Sequence, residues 1–287
     1  MKVKIINDRE FDISTSKGNA IIRSREDKPF IYLGCGQEKM DMYRGNFDIS
    51  DYISERIPMK VFNISPAIFK VGDKDRYNDG EYLLTLKKNE ADTEELILKI
   101  KENGDNLKME FVKKPYGTNR LWIRIDSDKT EKVYGCGEQL THFNLRGKSF
   151  PLWTSEPGVG RNKNLYATWQ ADVKDRAGGD YYTTNYPQPT YISTNKYFLH
   201  VETTSYSVFD FSKEDFHELE IWSFPDYIYI QEAKTYVGLV EKISDYFGKQ
   251  PELPEWVYNG ITLGIQGGTE VVYEKIKRAR EKGVKVA

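Results

Sequence analysis

Cysteine is nearly absent. The 287 residues contain two, Cys35 and Cys136, in no C-x-x-C pair, so a disulfide framework is not expected. Histidine is almost as scarce. His142, His200 and His217 show no H-E-x-x-H or other ligand spacing, so no metal site is expected. No run of about 18 apolar residues exists, so nothing in the sequence reads as a membrane-spanning helix. The opening MKVKIINDREFDIS lacks the apolar core of ~7–15 residues that marks a secretory signal, which leaves a reducing cytoplasm as the default compartment. The G-x-S-x-G elbow and the Walker A pattern are missing. Gly-x-Gly occurs from Gly34, Gly135 and Gly158, each time without the third glycine or the strand-to-helix setting of a dinucleotide site. These read as tight turns, and no cofactor is expected.

Charge of either sign in excess is lacking too. Forty-two basic and 44 acidic residues leave a net charge of −2, spread evenly, which argues against the concentrated basic patch of a nucleic-acid surface. What is abundant is aromatic: 14% of the chain, including 20 tyrosines, a bias that suits β-structure or a stacking surface. A chain of this length forms one large β-domain, or one domain and part of another.

The pattern from Lys2 to about Pro115 is short apolar stretches broken by turns. ELILKIKE and LKMEFVKK flank Asn103-Gly104 as a hairpin would. Strands continue through RLWIRID, YISTNKYFLHVET, YSVFDFS, FHELEIWSF and DYIYIQE. Turn signals every 8–12 residues or so indicate an antiparallel sandwich or barrel. The first helical period comes late, in AKTYVGLVEKISDYFGK. There Tyr236, Leu239, Val240, Ile243, Tyr246 and Phe247 share one face and Gly248 stands at the C′ position. QPELPEW reads as a stiff connector. The grammar then changes: a strand over Tyr258 to Ile265, a Gln-Gly-Gly turn, a helix capped by Thr269 with Val272, Ile276 and Ala279 inward, a stop at Gly283, and a second strand beginning in GVKVA. That is a βα unit of a parallel sheet.

Between Glu131 and Pro189 neither period holds. This stretch is rich in Gly, Trp, Tyr and charge, and reads as loop built to meet a ligand. Its carboxylates Glu138, Glu156, Asp172 and Asp180 could do acid–base work or merely stabilise turns. Trp153 and Trp169 could stack on sugar C–H faces or plug the sandwich edge. Arg161 and Asn162, after Gly158-Val-Gly160, could reach a ligand or pin the loop to itself.

YGCGEQLTHFNLRGKSFPLWTSEPGVGRN, TWQADVKDRAGGDYYTTNYPQPTYIST and QPELPEWVYNGITLGIQGGTEV resemble glycoside hydrolase family 31, the α-glucosidase family, and within it the sulfoquinovosidase subgroup. The resemblance runs from about Val133 to the carboxyl end. It implies a mainly β fold: a galactose-mutarotase-like antiparallel β-sandwich over 1–250, then at 251–287 a linker and the first βα unit of a (β/α)₈ barrel. It also implies retaining hydrolysis of an O-glycosidic bond, of an α-sulfoquinovoside in the first place and an α-glucoside in the second. The aspartate nucleophile and acid, and the Arg-Trp-Tyr group that binds sulfonate, would lie on later barrel strands beyond Ala287, so the chain alone is expected to be inactive.

Within the chain, Gln266 matches a substrate-binding glutamine of the subgroup, in place of the Ser-Arg-x-x-Tyr pattern of ordinary α-glucosidases. The loop Gly158 to Asp180 matches one that leans over the barrel mouth, which adds Arg161, Asn162, Trp169 and Asp172 as contacts. Glu138 is the further substrate-binding candidate. The expected partner is a small carbohydrate, with self-association into a homo-oligomer left open. The competing reading is a non-catalytic carbohydrate-binding β-domain that serves a separate catalytic chain.

Overall fold

The computed structural model describes residues 1–43, 46–71 and 74–286. Alternation decides the strands. In β7 (Leu96–Asn103), β8 (Asn106–Lys113), β15 (Phe216–Ile221) and β16 (Tyr227–Glu232) every second residue is buried, the mark of a sheet with one face on a core. The expected Asn103-Gly104 hairpin forms: Asn103 pairs with Asn106 and Gly104 takes φ +62°, a positive value at the first central position of a two-residue loop.

One strand carries two ladders. β5 (Asn46–Val71) pairs through Met59 with β4 (Ile31–Tyr43), and from Lys60 onward with β6 (Lys74–Lys87). On the β4 side the order continues through β9 (Arg120–Asp126), β15, β14 (Ser207–Asp210) and β11 (Ser149–Leu152). On the β6 side it continues through β7, β8, β16, β13 (Tyr197–Glu202), β12 (Pro187–Ser193) and β10 (Val133–Gly137). All pairings within these ladders are antiparallel. The apolar core joins both sets: Leu84, Leu98, Ile100, Met109 and Ile230 from one, Leu121, Ile123, Phe209, Leu219 and Ile221 from the other. A small sheet of β1 (Lys2–Ile5), β2 (Phe11–Ser14) and β3 (Ala20–Ser24) adds Phe11, Ile13 and Ile22 to that core.

A polar contact is sealed between the two sets. Glu131, 2% exposed, accepts from Ser193 Oγ and, at 3.1 Å, from Tyr197 OH. His217 Nε2 of β15 stands 3.2 Å from its other oxygen. Arg146 Nη1 lies 3.0 Å from His217 Nδ1; since a guanidinium only donates, Nδ1 is the acceptor and the proton sits on Nε2, facing the carboxylate. Burial pushes the Glu131 carboxyl up, but the His217, Ser193 and Tyr197 contacts outweigh it and hold the group below its ordinary value of 4.5.

Contacts divide the chain into two compact units, Met1–Lys242 and Ile243–Ala287. α2 (Tyr236–Phe247) forms as expected and ends at Gly248 with φ +90°. Of its apolar face, however, only Leu239 is buried. Of the expected βα unit the helix forms, while the strand before it does not. Glu255–Tyr258 is a turn of 3-10 helix, and residues 258–265 make no strand, only one parallel bridge, Ile261 to Val286. Strand apolarity had suggested the element, but a strand exists through ladder hydrogen bonds and Ile261 has one partner. Ala287, in the expected second strand, lies outside the described residues. α3 (Thr269–Glu281) is helical, but Gly268 is its N-cap and Thr269 its first turn, with no side-chain cap. The Gly283 stop holds: its N–H reaches Arg280 O at 2.9 Å and that of Val284 reaches Ala279 O at 3.0 Å, a Schellman pair with Gly283 at φ +74°.

Glu131→Gln is expected to cost about 1–3 kcal/mol near neutral pH, since a buried polar set loses its charged acceptor. A carboxyl held low in the fold stabilises above its unfolded value and loses that contribution as pH falls through the folded one. The gap between wild type and variant in urea unfolding should thus stay level above pH 4.5 and close below it. A gap constant down to pH ~3 would remove Glu131 from the acid response.

Candidate functional site

The stretch expected to be all loop, 131–189, is more regular than its sequence suggests. It contains β10, β11 and a helix, α1 (Tyr166–Asp175). α1 buries only Thr168, so it shows no apolar stripe and no helical period in the sequence. β10 carries the Gly135-Cys136-Gly137 run, and all three residues take positive φ (116°, 57° and 80°) at a register shift against β12. A Cβ on Gly137 would meet Tyr186 O at 2.0 Å. The Gly-x-Gly pattern here is a bulge inside a strand, not the tight turn expected.

From Trp153 to Tyr186 the chain leaves the sheets and folds on itself. Parallel bridges join Thr154 to Thr184 and Val159 to Gly178. Gly158 and Gly179 allow that closeness, because a Cβ on Gly158 would sit 2.5 Å from Gly179 Cα. Arg161, at φ +48°, holds the loop from inside. Its Nε donates to Thr141 Oγ1 at 3.0 Å, Nη1 to Thr183 O at 2.6 Å and Pro157 O at 3.2 Å, and Nη2 to Tyr181 O at 3.1 Å. Burial lowers its guanidinium from the ordinary value, against the charge of Asp180. Asp172 on α1 accepts from Gly178 N–H at 2.8 Å and Lys163 Nζ at 2.9 Å. Asn162 leads into the helix, its Oδ1 accepting from Asn164 N–H and its carbonyl from Leu165 N–H, both at 3.0 Å.

The structure thus gathers Arg161, Asn162, Trp169 and Asp172 on one loop but commits the charged two to its own fold. What the loop offers outward is aromatic. Trp169 is 55% exposed and stacks on Tyr166, ring centroids 5.6 Å apart and 28° from parallel. Tyr166 was not singled out from the sequence. Its i, i+3 spacing to Trp169 would have paired them, had the segment been read as helix. Glu138 lies beyond the bulge. Its backbone N–H donates to Tyr186 O at 2.8 Å and its carboxylate side is exposed. Gln266 belongs to the other unit, where it is exposed and precedes Gly267 and Gly268 (φ 117° and 85°) at the start of α3. Among the described residues no group of three His, Cys, Asp or Glu is placed to hold a metal, and no helix is long and apolar enough to cross a membrane.

Arg161→Ala should free the 153–186 loop. The expected result is new protease cleavage there and a stability loss of about 1–3 kcal/mol from carbonyls left without donors. Arg161→Lys should rescue little, because an ammonium cannot reproduce the fork that reaches Thr141, Thr183 and Tyr181 together. A lysine variant as resistant as wild type would sink the staple account.

Residues 2–210 match the family model described as the Glycosyl hydrolase 31 N-terminal galactose mutarotase-like domain. A sulfoquinovosidase of Escherichia coli (strain K12) is 44% identical over 269 residues, 93% of this chain and 38% of its own length. A sulfoquinovosidase of Agrobacterium fabrum is 44% identical over 271 residues, 94% of this chain and 38% of its own length. Among solved structures, a GH31 family sulfoquinovosidase from E. rectale, in complex with the aza-sugar inhibitor IFGSQ, superposes with a TM-score of 0.86 at 46% identity, over all of this chain and 40% of that one. The chain thus spans about two fifths of the length of these relatives. An antiparallel mainly β fold, a family match over residues 2–210 and this identity to two sulfoquinovosidases lead to one statement: the chain belongs to glycoside hydrolase family 31 and includes its amino-terminal galactose-mutarotase-like domain.

Proposed function

We propose that this chain is the amino-terminal part of a retaining α-glycosidase that hydrolyses α-sulfoquinovosides, and that it is inactive by itself. The observation that carries the reading is the 44% identity to two sulfoquinovosidases over 93% and 94% of this chain. It covers the segment containing Gln266, where the resemblance puts a substrate-binding carboxamide. A carboxamide donates to one hydroxyl and accepts from another, which suits a polyol. The exposed Trp169–Tyr166 pair and the outward Asn162 and Glu138 are the further contacts proposed for the rim, while Arg161 and Asp172 act by holding the loop that presents them. The domain division proposed is 1–250 and 251–287, supported by the left-handed stop of α2 at Gly248 and the irregular 251–254 that follows. A cytoplasmic setting is supported by two free thiols, Cys35 and Cys136.

The test is an assay pair. The 287-residue chain should leave para-nitrophenyl α-glucoside and α-sulfoquinovoside uncleaved. A polypeptide extended to the relatives' full length should cleave the sulfoquinovoside in preference. In that longer protein Gln266→Ala should lose roughly 1–3 kcal/mol of transition-state stabilisation with the melting temperature unchanged. Hydrolysis by the 287-residue chain that vanishes on Asp172→Asn or Glu138→Gln would place catalysis here and overturn the reading.

A further inference from the structure

Four aromatic rings from distant parts of the first unit stand in a row. Phe47 of β5 meets Trp153 edge-on at 5.7 Å, Trp153 meets Tyr206 at 6.1 Å, and Tyr206 meets Trp222 at 4.3 Å. The first ring is delivered by the arm of β4 and β5 beyond Cys35, which among the described residues pairs there only with itself. Arg120 of β9, 2% exposed, clamps that arm. It donates to Asp51 at 2.9 and 3.0 Å and to Glu38 at 3.0 Å, while its guanidinium lies 4.2 Å over the Trp222 ring. At the far end Arg176 of the stapled loop pairs with Asp41 at 3.0 Å.

An aromatic row inside a core would be packed on all sides by aliphatic groups. Here three clefts open along it, of about 240, 470 and 260 Å³, and Trp153 and Tyr206 line all three. Hydroxyls line them as well: Ser155, Thr183, Thr204 and Ser205. The Trp153 indole N–H is buried without a partner, a donor left unused beside the clefts. Flat apolar faces alternating with hydroxyl and carboxylate groups are what a pyranose needs, since it shows C–H faces and a ring of hydroxyls.

The charges choose between sugars. Asp48 and Asp180 line the first cleft with one cation, Lys163. Lys163 is already paired with Asp172, and Arg120 in the third cleft is paired with Glu38 and Asp51. The Asp48 side chain has no hydrogen-bond or ion-pair partner among the described residues. Among the described residues, a sulfonate or phosphate here would face carboxylates without a free cation.

We propose that the Phe47–Trp153–Tyr206–Trp222 row is a carbohydrate site selective for a neutral hexose unit. It retains the uncharged part of a glycoside or glycan rather than its anionic end. The inference does not depend on the substrate proposed above.

Maltose and glucose 6-phosphate are the probes, titrated into the 287-residue chain and followed by tryptophan fluorescence and by saturation-transfer NMR of the sugar protons. Maltose should bind saturably in the millimolar range, and glucose 6-phosphate at least several-fold more weakly. Trp153→Ala should weaken maltose binding by roughly three- to tenfold, the loss of one stacking partner. Asp48 is exposed, so Asp48→Asn should fold normally. It should narrow the preference for maltose over glucose 6-phosphate even if Trp153→Ala fails to fold. No saturable maltose signal, equal binding of the two sugars to wild type, or an unchanged preference in Asp48→Asn would each overturn the proposal.

Discussion

The structure depends on β5 serving two ladders at once. Met59 and Val61, both buried, lie either side of the handover from β4 to β6, so a slip of one residue would turn both outward and misregister two neighbours together. Register shifts at Val61/Asn63 and Pro66/Ile68 take up the bend without losing the alternation. The same continuity throws the paired arm of β4 and β5 outward past β9. A lone two-stranded ribbon is marginal in water. This one is held at three heights, by Arg120 at its base, by the Phe47–Trp153 contact, and by Arg176 against Asp41 near its tip.

The strands were legible because their chemistry repeats every two residues and one face of each meets a common core. RLWIRID, FHELEIWSF and DYIYIQE became β9, β15 and β16 with boundaries close to those read from the residues. The helix α1 was not legible, since Tyr166–Asp175 rests on loop and buries one threonine; a period that no core selects leaves no trace. The strand expected at 258–265 failed for the opposite reason. Its residues are apolar and β-branched enough, but pairing is non-local and a sequence window does not contain its partners. Nor could spacing reveal that Arg161, a ligand candidate, would be used by four oxygens of its own surroundings.

Division of labour follows within the loop. Charged side chains of the kind that usually grip a ligand are spent on internal carbonyls and amides, so the loop is stiff before anything binds. Rings then provide the outward surface, and a rigid aromatic face loses little entropy on contact. The family membership shown by residues 2–210 agrees with such a scaffold.

Cys136 sits at the centre of the three-residue bulge in β10, wholly buried, and burial pushes its thiol far above the ordinary 9.0. A thiol kept protonated and out of water reacts with almost nothing. Cys35, partly accessible, donates to Gly117 O at 2.7 Å and remains within reach of a reagent. The chain therefore contains two clocks on different scales. One thiol reports the surface at once, and the other stays silent until β10 lifts from β12, so the rate at which the second responds measures how often the sandwich opens.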